Sequence, residues 1–201
     1  QTLFVGNPPY VRHHQLAPVQ KEWLTNEAVR LGYKASALAG LHVYFFLATV
    51  LNAQCGDQGA FVTSSEWLDV NYGALVRDLF LGHLGGESIT VIEPTAEPFP
   101  ETATTATITS FSIGSKPDFI KVARVSDVNG VKSPSFQALK RERFETENRW
   151  SHLTRVRQEI PEGFIELGEL CRVHRGSVTG ANKIWIAGHH SKGLPADFLF
   201  P

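Results

Sequence analysis

Several features are missing from this 201-residue sequence, and each absence excludes a class of protein or a kind of site. It contains no methionine and only two cysteines, Cys55 and Cys171, which lie far apart. Distant single cysteines are typical of reduced thiols and indicate a cytoplasmic protein rather than a disulfide scaffold. No apolar run approaches the ~20 residues of a membrane span, and the first residues show no signal-peptide pattern. We therefore expect a soluble protein that does not enter a membrane.

Two kinds of binding site are also missing from the sequence. The usual nucleotide-binding element of α/β sheets, a glycine-rich strand–turn–helix with an acidic residue about 20 positions later, does not occur. His13 and His14 are adjacent, so their side chains point to different sides, and no third metal ligand is near. We expect no metal site.

The composition is that of a globular protein, but its charge is unevenly distributed. Hydrophobic residues make up 42% of the chain and charged residues 19%, which suits one domain, or one and a part. The formal net charge is −1, yet residues 1–115 carry −5 and residues 116–160 carry +4. The positive segment is expected to be a solvated connector with one helical or extended stretch near residues 134–148, and it could also follow phosphate groups of a nucleic acid.

One stretch near the start combines a buried strand with a stiff loop. Thr2–Val5 is apolar and typical of a strand inside an α/β sheet. Gly6 permits a sharp exit, and Pro8 and Pro9 fix the backbone and remove two amide donors. The loop therefore lies at the carboxyl end of a strand, where open α/β sheets bind ligands.

The chemistry of this loop suits a planar amine. The side-chain oxygen of Asn7 and the backbone carbonyl of Pro8 are both acceptors, and together they could hold both hydrogens of an exocyclic NH₂ group. Tyr10 could stack on the ring that carries the amine. The alternative from these residues alone is a proline-stiffened turn without a catalytic role.

The stretch also resembles a known catalytic motif. Asn7-Pro8-Pro9-Tyr10 after a hydrophobic strand is similar to the motif of the S-adenosylmethionine-dependent amino-methyltransferases. A tryptophan-containing helix follows, and after it come Leu41–Leu47 and Gly59–Leu68. In this order the segments resemble the DNA adenine-N6 methyltransferases of restriction–modification systems, in the subgroup whose methylase and target-recognition domains share a chain. The resemblance covers most of residues 1–113 and resumes at about residue 166.

The resemblance implies a set of site residues. Asn7, Pro8 and Tyr10 correspond to the catalytic motif, and Tyr10 with Phe99 would hold the target base between two aromatic faces. The family commonly has Asp-Leu-Tyr where this chain has Gly40-Leu41-His42, so any role of position 40 in binding the cofactor is in doubt. We expect His42 to be a structural helix residue. Neither cysteine follows a proline, which argues against a cysteine-nucleophile route of base methylation.

The expected fold is α/β, the second half of a class I (Rossmann-like) methyltransferase domain. Helices are predicted over residues 18–31, 36–53 and 72–84 from their apolar periodicity and from the prolines and glycines at their ends. Residues 88–92 and 104–111 are predicted to form the terminal β-hairpin, with Phe99 in the connection. Since the cofactor motif of the family precedes the Asn-Pro-Pro-Tyr loop, we expect the chain to be a fragment whose cofactor-binding residues lie upstream.

The last part of the chain resembles the opening of a target-recognition domain. Residues 164–182 contain the run Leu-Gly, Arg-Gly and Thr-Gly-Ala-Asn that begins this domain in the family. Arg175 and Thr179 are candidate DNA contacts there, and Arg12 is another beside the catalytic loop. The expected organisation is a catalytic domain over 1–115, a basic connector over 116–163 and the start of a recognition domain over 164–201.

The function implied by the resemblance is transfer of a methyl group from S-adenosylmethionine to the N6 amine of adenine in double-stranded DNA. The fragment alone is expected to be inactive because its cofactor site is incomplete. Two alternatives stay open. One is a protein methyltransferase acting on the N5 amide nitrogen of glutamine, which carries the same NH₂ group. The other is a catalytically incomplete DNA-binding or specificity protein that keeps the scaffold.

Overall fold

The computed structural model describes residues 1–96, 105–127, 129–155, 163–165, 167–172, 186, 188–189 and 192–195. The chain divides into two compact units, Gln1–Arg157 and Gln158–Pro201. The described part of the second unit contains a short helix at Leu167–Leu170. None of the described helices is long and apolar enough to cross a membrane.

The described residues of the first unit form a six-stranded sheet with four α-helices. The strands are β1 (Leu3–Gly6), β2 (Gln58–Ser64), β3 (Gly86–Ile92), β4 (Ala106–Ser112), β5 (Phe119–Val125) and β6 (Gln137–Lys140). The helices are α1 (Pro18–Arg30), α2 (Leu41–Asn52), α3 (Ala74–Leu81) and α4 (Arg141–Thr146). The α/β fold class expected from the sequence is therefore confirmed.

The sheet is mixed, with the strand order β1-β2-β4-β3-β5-β6. β1 pairs with β2 and β3 pairs with β5 in parallel, whereas β4 lies between β2 and β3 and is antiparallel to both. β3 and β4 are the predicted terminal hairpin, whose register runs from Gly86 opposite Phe111 to Ile92 opposite Ala106. The hairpin is thus confirmed, and its second strand fills the middle of the sheet.

The helices follow the predicted pattern but are shorter. α1 begins at Pro18, as the N-terminal preference of proline predicts, and the chain turns at Gly32 with a φ of 84°. α2 begins at Leu41 rather than residue 36, because Gly40 is extended and the amide of Leu41 donates to the carbonyl of Val11 at 2.9 Å. The α2 side chains include fully buried Phe46 and Leu47, as expected for a helix packed on the sheet.

The basic segment differs from its prediction as a solvated connector. β5 extends the sheet beside β3, β6 pairs with β5, and the buried ring of Trp150 contacts the core ring of Trp67 at 6.0 Å between centroids. The expectation of a solvated connector is wrong for β5, because Ile120 and Val122 are buried in the core and the half-buried side chain of Arg124 bonds to Glu93 and Thr154. β6 and α4 lie within the helical or extended stretch expected near residues 134–148.

Aromatic rings fill the centre of the core. Phe61 of β2 contacts Phe46 of α2 and Phe111 of β4, with ring centroids 5.2 and 5.5 Å apart. This packing requires a glycine at position 59, since a Cβ there would overlap the Phe111 ring. The core thereby holds β2 against α2 and fixes the edge at which β1 and β2 end.

Candidate active site

Two loops meet at the carboxyl edge of the parallel pair β1 and β2. The register places Gly6, the last residue of β1, opposite Phe61 of β2. β1 leads into the Asn7–Tyr10 loop, and β2 leads into a 3-10 turn at Ser65–Leu68. Because parallel neighbours end at the same edge, the two loops lie side by side, as the sequence predicts for a ligand site of an α/β sheet.

A cavity of about 690 Å³ opens at this edge. Its walls come from the β1 loop, the start of α2 and the segment after β2. The lining residues are Asn7, Tyr10, Val11, Arg12, His13, Leu38, Gly40, His42, Ser64, Glu66 and Tyr72. The structure therefore brings three of the predicted site residues, Asn7, Tyr10 and Arg12, to one cavity.

The Asn7–Tyr10 loop is fixed to α2 by its backbone. The amide of Val11 donates to the carbonyl of Pro9 at 3.0 Å, and the carbonyl of Val11 accepts from Leu41. Pro8 is buried, whereas Tyr10 is 44% exposed. Partial burial raises the pKa of Tyr10, so its hydroxyl stays protonated at neutral pH. The ring is accessible to a ligand in the cavity.

Hydrogen bonds fix the segment that follows β2. The side chain of Ser64 caps the 3-10 turn by accepting from the amide of Glu66 at 3.4 Å. The indole of Trp67 donates to the hydroxyl of Thr63 at 3.1 Å, and Arg77 of α3 donates to the carbonyl of Trp67. The structure shows the cap and also places Ser64 in the cavity wall.

A tyrosine–glutamate pair that the sequence did not predict forms part of the same wall. The hydroxyl of Tyr72 donates to Oε2 of Glu66 over 2.5 Å. Burial raises the pKa of Tyr72 most strongly, and the hydrogen bond to Glu66 and its negative charge raise it further. Tyr72 therefore remains a donor. Side chains six residues apart do not touch within one helix or one strand, so the sequence carried no signal for this pair.

His42 of α2 lines the same cavity and is only 5% exposed. Its ring lies edge-on to Tyr72, with centroids 6.4 Å apart. Burial lowers the pKa of His42 to about 4, although the negative charge of Glu66 acts in the opposite direction. The imidazole is therefore neutral at pH 7. The structural role expected for His42 is compatible with this position in α2, but the side chain also borders the cavity.

A second cavity, of about 530 Å³, lies on the other side of the β1 exit. It runs along β1 and α2 and is largely apolar, with polar groups from Asn7, Thr49 and Asn52. Its lining residues are Leu3, Phe4, Val5, Gly6, Asn7, Pro8, Phe45, Ala48, Thr49, Asn52 and Phe61. Asn7 lines both cavities. No local sequence pattern predicts this second cavity, because its walls come from two elements, β1 and α2, that meet only after folding.

Three predicted site residues, Phe99, Arg175 and Thr179, lie outside the described residues. Within the described residues, no group of three or more His, Cys, Asp or Glu side chains could hold a metal ion. The contacts of Arg12 with a nucleic acid stay a prediction, and its charge lies close enough to lower the pKa of Tyr72.

The sequence is similar to those of known methyltransferases. Residues 3–93 match the Eco57I restriction-modification methylase family. The whole chain is 50% identical over 203 residues to the Type II methyltransferase M.XamI of Xanthomonas campestris pv. amaranthicola. It is 24% identical over 192 residues to the Type II methyltransferase M.AccI of Acinetobacter calcoaceticus, a match that covers 89% of the chain. The chain spans only 38% and 35% of the lengths of these two relatives.

Solved structures share the fold at low sequence identity. The type IIG restriction endonuclease BpuSI superposes with a TM-score of 0.59 at 17% identity, over 76% of this chain and 21% of that protein. The DrdV protein of a DrdV–DNA complex gives a TM-score of 0.52 at 12% identity, over 81% of this chain and 19% of that protein. The fold of this chain therefore also occurs as part of these two larger proteins.

Proposed function

We propose, because residues 3–93 match the Eco57I restriction-modification methylase family, that this chain is part of a DNA adenine-N6 methyltransferase. The proposed reaction transfers a methyl group from S-adenosylmethionine to the N6 amine of an adenine in double-stranded DNA. The proposal makes the chain the target-base half of a catalytic domain, with the start of a recognition domain after it. Its place of action would be the cytoplasm.

The observation that carries this proposal is the position of Asn7 between two cavities. A methyl transfer needs a site for the acceptor and an adjoining site for the donor, so that the reacting atoms meet where the two sites join. The polar cavity beside Tyr10 suits the base, and the apolar cavity along β1 suits the adenosyl part of the cofactor. One side chain at their junction can act on the acceptor amine while the donor lies next to it.

The loop residues have a defined task in this reaction. The amide oxygen of Asn7 and the carbonyl oxygen of Pro8 each accept one hydrogen of the amine, which draws the nitrogen lone pair out of conjugation with the ring. Pro8 and Pro9 hold these acceptors in place because their φ angles are fixed. Positioning and hydrogen bonding therefore provide the catalysis, and no covalent intermediate with the protein is needed.

The second cavity fits part of the proposed cofactor. Phe45 borders it and is 41% exposed, and Phe61 and Pro8 add apolar surface against which a flat heterocycle can pack. S-Adenosylmethionine supplies, when bound, a methyl group activated by its sulfonium charge. The glycine-rich element of the family is not in this sequence, so these residues would form only part of the site. We therefore expect the isolated 201-residue chain to bind the cofactor weakly and to be inactive.

Double-stranded DNA is the proposed partner. A target base inside a duplex cannot reach Asn7, so the base must be extruded into the cavity. Tyr10 is positioned at the cavity as one stacking wall, and Phe99 is the proposed second wall. Arg12 at the cavity, and Arg175 and Thr179 in the recognition segment, are the proposed contacts to the DNA backbone or bases.

The experiment compares Asn7→Ala with Asn26→Ala in the full-length protein that contains these residues. Asn26 is exposed on α1 and lies outside both cavities, so it serves as the matched control. Tritiated S-adenosylmethionine and duplex DNA are the substrates, and the labelled nucleoside is identified by chromatography. Asn7→Ala should lower the rate of N6-methyladenine formation about a hundredfold or more, as when one oriented hydrogen-bonding group is lost.

Two results would contradict the proposal. The first is normal turnover by Asn7→Ala, which would remove Asn7 from the reaction. The second is transfer of the label to glutamine in a peptide, or to no substrate at all, by the unsubstituted protein. These outcomes correspond to the glutamine methyltransferase and to the catalytically incomplete DNA-binding protein.

A further inference from the structure

His42 is a buried polar side chain without a visible reason for its polarity. It is 5% exposed, and its Nε2 has no hydrogen-bond partner among the described residues. An unsatisfied buried polar group lowers stability, so most such groups in folded proteins have a partner or a functional explanation. A phenylalanine would pack at this position of α2 without that loss. The histidine therefore needs a partner that the protein alone does not provide.

The surroundings of His42 place that partner in the cavity. The imidazole lines the same 690 Å³ space as Asn7 and Tyr10, the residues that receive the amine and the ring in the proposed function. Gly40 lies beside it, and a Cβ at position 40 would come within 3.2 Å of both His42 Nδ1 and the carbonyl of Val11. The glycine thus keeps open the space in front of the imidazole.

The charged neighbours of His42 do not act as its hydrogen-bond partners. Glu66 is engaged with the hydroxyl of Tyr72 at 2.5 Å, and the Tyr72 ring meets His42 edge-on without a hydrogen bond between them. Burial keeps the imidazole neutral, with a pKa of about 4. A neutral imidazole has one N–H donor and one acceptor nitrogen, a combination suited to an uncharged heterocycle.

We propose that His42 donates a hydrogen bond to a ring nitrogen of the target adenine and so determines which base the cavity accepts. This inference rests on the proposed function and adds a specificity-determining residue to it. In an adenine nucleotide the three ring nitrogens not bonded to the sugar, N1, N3 and N7, are all acceptors, so the imidazole N–H is the complementary group. Asn7 and Pro8 hold the amine of the base, and His42 bonds to a ring nitrogen of the same base.

The experiment combines base analogues with substitutions in the full-length protein. Duplexes carry adenine, 1-deazaadenine, 3-deazaadenine or 7-deazaadenine at the target, each analogue lacking one ring nitrogen. His42→Phe removes the hydrogen bond and keeps a flat ring of similar size, whereas His42→Gln keeps a donor. Methylation kcat and KM are measured for each pair, together with the melting temperature of every variant.

The expected result is a loss that depends on one ring nitrogen. His42→Phe should lower kcat/KM for adenine about tenfold to a hundredfold, in the range expected when a specificity hydrogen bond is removed. One of the three analogues should lower the activity of the unsubstituted protein by a similar factor, and on that analogue His42→Phe should cause no further loss. His42→Gln should recover a part of the activity on adenine.

The contrary results separate this inference from the proposed function. If His42→Phe lowers activity equally on adenine and on all three analogues, His42 only supports the packing of α2 and the inference is wrong. The same conclusion follows if its activity is unchanged, or if only the KM for S-adenosylmethionine rises. The Asn7→Ala variant tests the proposed function independently, because its loss should be equally large on every methylatable base.

Discussion

The hydroxyl of Tyr72 donates a 2.5 Å hydrogen bond to Oε2 of Glu66, and this bond closes the segment that follows β2. Glu66 lies in the 3-10 turn after the strand, and Tyr72 lies six residues later, just before α3. The bond therefore fixes two sides of one cavity wall relative to each other. It also holds a negative charge next to the neutral imidazole of His42.

We predict that Tyr72→Phe lowers the free energy of unfolding by about 1 kcal/mol, because a partly exposed hydrogen bond is lost. Urea denaturation of the 201-residue chain measures this change. Glu66→Gln and the double variant complete a double-mutant cycle, and the coupling between the two positions should also be about 1 kcal/mol. Strictly additive losses would show that the two side chains do not stabilise each other.

The stability of the fold should fall in mild acid because of His42. Its pKa is about 4 in the folded protein and 6.5 without burial, so below pH 6.5 the unfolded chain binds a proton that the folded protein does not. The contribution is absent above pH 6.5, grows as the pH falls, and levels off below pH 4 at roughly 3 kcal/mol. His42→Phe should remove this part of the pH dependence, whereas His14→Phe should keep it. Identical pH profiles for the native chain and His42→Phe would contradict the prediction.

Trp150 should be essential for the stability of the first unit. Its indole is 1% exposed, donates to the carbonyls of Phe144 and Glu147, and contacts the rings of Trp67 and Phe80. We predict that Trp150→Ala lowers the free energy of unfolding by about 3–5 kcal/mol. Trp23→Ala is the matched control, since Trp23 is partly exposed and should matter much less. A small effect at Trp150 would restore the interpretation of this segment as a connector.

Phe99 should affect DNA binding without affecting the fold, if it is the second wall of the base slot. Stacking on an aromatic side chain contributes about 1–3 kcal/mol per base. We predict that Phe99→Ala in the full-length protein weakens binding to normal duplex DNA, and weakens it less when the target base is mismatched, because extrusion then needs less energy. Fluorescence anisotropy and a melting curve on the same variant measure both effects. A large drop in melting temperature with no dependence on the mismatch would assign Phe99 to the core instead.

The sequence was most informative where a local pattern also determines the tertiary position. Pro18 and Gly32 marked the bounds of α1, and the pairing of β3 with β4 followed from two strands that are consecutive in the sequence. The placement of Asn7 at the edge of the sheet followed from a strand that ends in a proline-rich loop. Each of these predictions depended on residues close together in the chain.

The predictions that failed or were missed depend on residues that meet only after folding. Lys121 and Arg124 made the segment around β5 look like a solvated connector, although Ile120 and Val122 on either side of Lys121 follow the alternation of a strand. The bond between Glu66 and Tyr72 needs the turns after β2 to bring the two side chains together. The second cavity arises where α2 crosses β1, and no local sequence pattern specifies that crossing.

The central position of β4 has a consequence for how the chain is made. Until residue 112 has left the ribosome, β2 and β3 have no strand to join them, so the β1–β2 pair and β3 are not yet parts of one sheet. Closing it requires contacts such as Gln58 with Ser112, which are far apart in sequence and are therefore slow to form. During this interval both inner edges offer unpaired backbone groups to other chains. Synthesis of this region should therefore depend on chaperones more than its modest size suggests.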